Sequence, residues 1–342
     1  MNAPRCAAVL GAALLQISCA AGDATAAADY WDLPTGSRIA YRHVPGKAGA
    51  GLPALVFLHG GPGAYQVAHF DDSPEWWQRL ASLGFDVYAY DQVGSGLSAR
   101  LSDPAQYTVA RHVADLEAIR LQIGAERMVL VGDSWGASLA AHYIAAHPEH
   151  VERAIFTSPG GIDQREWNPT LATPRFSPDM LEWVRNTRSR AEYRRCLELD
   201  SLLRRDVRAA YARFGDAEMD PLIDAWVTNA ILEHTVHDPA RVRDERMSGM
   251  GWWVQTLTTF DLLSHAPPVR PLLAKYERPV LILHGMSDYL PAGMAEQYAA
   301  TFPHARLVHV PDTGHLIWLE RPDVYGGEIV RFLQQLIGAP RR

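Results

Sequence analysis

The segment of this chain best suited to covalent chemistry is a serine between two glycines, Gly132-Asp133-Ser134-Trp135-Gly136. It follows the apolar run Met128–Val131 and opens a stretch of small residues, so the hydroxyl would sit on a tight strand-to-helix turn. Such a turn crowds the positions two residues away on either side, and glycine at 132 and 136 removes the side chains that would collide there. The helix start behind it would offer unpaired N–H groups and a favourable dipole to developing negative charge. A serine hydroxyl needs a base within hydrogen-bond reach before it attacks a carbonyl. His315, in Asp312-Thr313-Gly314-His315, is the expected base. Asp288, in His284-Gly285-Met286-Ser287-Asp288, is the expected acid that would hold the imidazole tautomer. The order serine, acid, histidine along the chain suits such an elbow. Asp312 is the rival acid, but it stands too near His315 in sequence for the required geometry. His284, His304 and His309 read as structural or surface histidines.

Acyl transfer also needs donors for the oxyanion. The backbone N–H of Trp135, next after the serine, should be one. The second should come from His59-Gly60-Gly61-Pro62-Gly63, with Gly61 the expected donor and His59 a scaffold hydrogen-bonder.

These residues need a sheet whose strand ends converge. Ala54–Leu58, Phe85–Tyr90, Met128–Val131, Ala154–Thr157, Val280–Leu283 and Arg306–Val310 are apolar runs of strand length, separated by helical patterns over His112–Ile123, Ala137–Ala146 and Val324–Ile337. That alternation predicts an α/β fold with a mostly parallel sheet flanked by helices, its strands buried on both faces. Residues 161–277 break the rhythm. They read as helices, are rich in Arg, Trp and acidic residues, and predict a helical cap inserted over the C-terminal edge of the sheet, where ligands bind in open α/β folds. The expected division is a leader over 1–28, core over 29–160, cap over 161–277 and core again over 278–342.

His59-Gly-Gly-Pro-Gly63, Asp91-Gln-Val-Gly-Ser-Gly-Leu-Ser98 and Gly132-Asp-Ser-Trp-Gly136 together resemble the successive signatures of prolyl iminopeptidases and their α/β-hydrolase relatives. The resemblance covers about residues 30–160 and 280 to the end. It implies the α/β-hydrolase fold, the same triad and oxyanion assignments, and a helical cap that sets specificity. Two positions depart from the family pattern: Val93 stands where Arg is usual, and Asp133 where Gly is usual. The family holds the free amino terminus of its substrate with cap glutamates beside a Trp-Glu-Gly stretch, which this chain lacks. Glu233 and Glu245 are the nearest candidates, with solvated helix faces as their alternative place. The expected cap is also aromatic, with Trp167, Trp183, Trp226, Trp252 and Trp253. Of these, Trp252 and Trp253 are the candidates for lining an apolar pocket, against the alternative that they pack cap to core.

The N-terminus reads as an export signal. Arg5 precedes the apolar run Cys6–Ala21 and the small-residue stretch Gly22–Ala28, with cleavage expected near Ala28 and the product periplasmic or secreted. Lipidation at Cys19 is the minority reading. With the leader gone, Cys196 alone remains and no internal disulfide can form. The run is too short and interrupted to span a bilayer. A formal charge of -7 with 48% hydrophobic residues gives no reason to expect nucleic acid.

No metal-ligand spacing or dinucleotide fingerprint is present in the sequence, so no cofactor and no metal are expected. The expected reaction is hydrolysis of a small-molecule or short-peptide substrate, as an aminopeptidase or as a carboxylesterase or lactonase. A non-catalytic binding protein on the same fold is the alternative of another class.

Overall fold

The computed structural model describes residues 28–162 and 175–337. Of the expected leader, residues 1–27 with both of its cysteines lie outside the described residues, as does Trp167. Eight strands form one sheet: β1 (Asp29–Asp32), β2 (Arg38–Val44), β3 (Ala54–Leu58), β4 (Val87–Tyr90), β5 (Met128–Asp133), β6 (Val151–Thr157), β7 (Val280–Gly285) and β8 (Ala305–Val310). Their order is β1-β2-β4-β3-β5-β6-β7-β8. From β4 to β8 every neighbour is parallel, while β2 runs antiparallel to both β1 and β4.

Alternating strand residues feed two cores, which is why the central strands read as unbroken apolar runs. Leu55, Phe57, Val129, Val131, Leu281 and Leu283 pack with Trp77, Ile329, Phe332 and Leu333, from the helices Pro74–Ser82 and Pro322–Ile337. Val56, Leu58, Leu130, Phe156 and Ile282 pack with Leu116, Ile119, Leu139 and Tyr298, from the helices Val109–Gln122, Trp135–Ala146 and Ala292–Thr301. The expectation of uniformly buried strands fails at β8, which alternates between half-buried and exposed positions because it closes one edge of the sheet. The β1–β2 pair at the other edge was not anticipated.

Between Thr157 and Val280 the described chain is helical and carries no strand. Its helices are Pro178–Thr187, Arg190–Leu203, Val207–Arg213, Asp216–Trp226, Trp252–Ser264 and Arg270–Leu273. Stretches of this insertion meet the loops at the C-terminal ends of the strands. Gly251 N–H donates to Gly63 O at 2.9 Å, and Gly249 O accepts from Gly96 N–H at 2.8 Å. Further along, Thr235 O accepts from His315 N–H at 2.7 Å. No helix among the described residues is long and apolar enough to cross a membrane.

Candidate active site

Ser134 stands between β5 and the helix Trp135–Ala146 with φ 52° and ψ −113°. A non-glycine residue with positive φ is strained and is kept only where its surroundings dictate it. Here they do. A methyl on Gly132 would strike the carbonyl of Gly136, and one on Gly136 would strike the carbonyl of Leu58. The two glycines therefore let the helix start pack directly on β3 and β5. Ser134 is buried, at the N-terminus of a twelve-residue helix whose first N–H groups have no partner within the helix.

Asp288 and His315 follow β7 and β8, and their side chains are fully buried. Nδ1 of His315 lies 2.8 Å from both Oδ1 and Oδ2 of Asp288, so the N–H is held on that nitrogen and Nε2 is left to accept a proton. Nε2 is buried and has no hydrogen-bond partner among the described residues. Asp288, and not the exposed Asp312, meets the imidazole. The loop bearing His315 is tied to that of Ser134 through β6: Ser134 N–H donates to Thr157 O at 2.9 Å, and the next residue, Ser158, donates its hydroxyl to His315 O at 2.7 Å. Burial works against protonation of His315, but the charge and hydrogen bond of Asp288 outweigh it and raise the pKa above the ordinary histidine value.

Asp133 adds a second carboxylate near this pair. Its Oδ1 accepts the hydroxyl of Thr157 at 2.7 Å. Burial pushes its pKa up to about 6, the attraction of His315 and the Thr157 bond pull it down, and Asp288 pushes it further up. Sequence reasoning noticed Asp133 only as a departure from a pattern.

The glycine-rich loop after β3 carries Gly61 at φ 113°. A Cβ there would lie 2.6 Å from Gly63 N and 2.7 Å from Ala64 N, so the turn admits no side chain. His59 is a scaffold residue, as expected. Its Nδ1–H donates to Gly60 O and its Nε2 accepts Gln92 N–H, both at 2.8 Å, and burial lowers its pKa to about 4. Gln92 was missed. Its amide nitrogen donates to His59 O at 3.0 Å while its Oε1 accepts the indole N–H of Trp135 at 2.8 Å. One side chain thus joins the loop of Gly61 to the residue after the serine. The only signal for it was the Asp-Gln pair at 91–92.

The four cap candidates fare differently. Trp252 and Trp253 are buried in the helical insertion: Trp253 gives its N–H to Phe214 O at 2.8 Å, and Trp252 packs on Phe176 and Trp253. That placement matches the packing alternative, with the named partners all in the insertion. Their flat rings fill the space where the helices of the insertion meet. Glu233 is exposed with His234 as its neighbour at 3.6 Å, a solvated position. Glu245 is half-buried. Burial raises its pKa, and the nearby charge of His69 lowers it. His69 belongs to the turn Val67–Asp72 that follows the Gly61 loop, and its ring lies 5.3 Å from that of Tyr65.

Metal-type side chains meet elsewhere, at the far end of the helix Trp135–Ala146, where Glu117, His147 and His150 converge. Both oxygens of Glu117 are already engaged, one by Arg120 at 2.7 Å and the other by Arg120 at 2.8 Å and the hydroxyl of Tyr143 at 2.6 Å.

The alpha/beta hydrolase fold family model matches residues 53–322. A proline iminopeptidase from Heyndrickxia coagulans is 25% identical over 306 residues, spanning 88% of this chain and 97% of its own. The proline iminopeptidase structure from Mycobacterium smegmatis superposes with a TM-score of 0.55 at 21% identity, covering 91% of this chain and 99% of that one. An esterase from Exiguobacterium antarcticum does so with a TM-score of 0.58 at 16% identity, over 90% of this chain and 100% of that one.

Proposed function

Starting from the fact that this chain belongs to the alpha/beta hydrolase fold family and is a hydrolase related to proline iminopeptidases, we propose that it cleaves an amide or ester through an acyl-enzyme on Ser134. The observation that carries the proposal is the buried His315–Asp288 pair at 2.8 Å, tied through Thr157 and Ser158 to a serine held at positive φ.

In this reading Ser134 Oγ attacks the substrate carbonyl carbon while His315 Nε2 takes the hydroxyl proton. Asp288 keeps the other proton on Nδ1 and stabilises the imidazolium. The oxyanion is held by the N–H groups of Trp135 and Gly61, and loss of one such donor typically costs about two to three orders of magnitude in rate. Collapse breaks the bond to the leaving group, which takes the proton from Nε2. Water, activated by the same nitrogen, then releases the acid and frees Ser134.

The helical insertion serves as the cap over this site. For the substrate we propose a short peptide with a free amino terminus, aminopeptidase activity of the proline iminopeptidase type. Glu245, half-buried beside His69 near the Gly61 loop, is the proposed carboxylate for the ammonium. The second reading is a carboxylesterase or lactonase, favoured by the exposure of Glu233, which leaves one candidate glutamate where the family uses more.

A matched pair of chromogenic substrates separates the two: a proline anilide with a free amine, and a short acyl ester. We expect anilide turnover that is lost in Ser134→Ala, lost on blocking the amine, and weakened in KM by Glu245→Gln. Ester turnover alone would establish the second reading, and turnover untouched by Ser134→Ala would sink the mechanism.

A further inference from the structure

Glu320 ends the short helix Ile317–Glu320, five residues after His315, and is buried. Its carboxylate accepts three backbone N–H groups. Oε1 takes those of His237 and Asp238, each at 2.9 Å, and Oε2 takes that of Gly314 at 2.6 Å. The first two belong to the helical insertion, and the third belongs to the loop that carries His315.

The rest of the seam is equally close. His315 N–H donates to Thr235 O at 2.7 Å. A Cβ on Gly314 would stand 2.6 Å from that same oxygen and 2.7 Å from Val236 Cα, so the two backbones touch with no room for a side chain. Nδ1 of His237 lies 2.9 Å from the hydroxyl of Ser287, the residue before Asp288. Ser287 N–H in turn donates to Thr313 O at 2.8 Å. The Glu320 carboxylate, bonded by N–H groups on both sides, thus spans the seam from the insertion to the His315 loop.

We infer that Glu320 is a positioning residue for the general base: by pinning residues 237–238 of the insertion to Gly314, it makes the cap part of the scaffold that aims His315. This rests on the reading of His315 as general base and extends it. The cap then does more than select substrate. One of its edges is fixed to the catalytic loops, and any opening for substrate has to occur away from residues 235–238.

The consequence is kinetic, because displacement of a catalytic group by about 1 Å costs on the order of a hundredfold. Glu320→Gln keeps the size but turns one acceptor into a donor facing N–H groups. Active sites are counted with a fluorophosphonate probe so that misfolded chains do not enter the rate. Per titrated site, we expect kcat to fall about tenfold to a hundredfold with KM nearly unchanged. The low-field Nδ1 proton resonance of His315 should shift or broaden. Glu320→Asp, which keeps the charge at shorter reach, should recover part of kcat. It is read by the same criteria if the Gln variant does not fold.

Ser134→Ala is assayed in parallel. Wild-type kcat and an unmoved resonance in the Glu320 variants, with Ser134→Ala inactive, overturn this inference alone. Activity in Ser134→Ala overturns the proposed mechanism and this inference with it.

Discussion

At the scale of single residues, the unusual feature is a pair of carboxylates on one imidazole. Asp288 bonds Nδ1 of His315 directly, and the nearby charge of Asp133 acts on it through space. In the proposed mechanism attack by Ser134 requires neutral His315, so activity is expected to fall as pH drops through the raised pKa of that histidine. Burial pushes the pKa of Asp133 up to about 6, and its negative charge favours the protonated form of His315. Removing the charge lowers the pKa of His315. We therefore expect Asp133→Asn to move the acid limb of the kcat/KM profile to lower pH. The plateau rate should drop far less than the hundredfold or more that loss of a general base costs. An unmoved limb would show that Asp133 does not reach His315. The candidates for the triad were legible in the sequence because type, order and strand context all constrained them. The placement of Asp133 was not, since nothing in residue type says that the side chain before the serine lies within electrostatic reach of the histidine. Gln92 was hidden for the same reason: its partners, His59 and Trp135, are distant in sequence.

At the scale of elements, the elbow is held by what its glycines lack. The atoms a methyl at Gly136 would meet are backbone, the carbonyls of Leu58 and His59, and these cannot swing aside as a side chain can. Forced overpacking typically costs 1–3 kcal/mol and sometimes more. We expect Gly136→Ala to lose about 3 kcal/mol or more in urea unfolding, and to lose activity even where folded, because the helix start must retreat from β3. Wild-type stability and rate in this variant would mean that the turn is not sterically fixed. The central strands could be read from the sequence because burial on both faces leaves a continuous apolar run, and β3 matches its expected bounds. The edge strand β8 was expected over Arg306–Val310 and begins one residue earlier. The other edge could not be read: β1 and β2 have exposed positions, and their mixed patterns do not separate strand from loop.

At the scale of the whole molecule, the site exists only because the chain returns to it. Ser134 and His315 are separated by the entire helical insertion, yet β5, β6, β7 and β8 lie side by side and deliver their C-terminal ends together. That an insertion interrupts the strand rhythm was visible in the sequence. Its attachments were not, because the joints at residues 235–238 and 248–251 engage mostly backbone groups of the insertion, which leave no mark in composition. Reactivity of Ser134 must therefore depend on the folded chain as a whole. The most direct measurement is labelling with a fluorophosphonate, followed by mass mapping of the modified peptide in native and denatured protein. The account predicts one adduct per native chain, on Ser134, absent after denaturation and in Ser134→Ala. In His315→Ala it should form about 10²- to 10⁴-fold more slowly. An adduct on another residue, or equal labelling in Ser134→Ala, would contradict it.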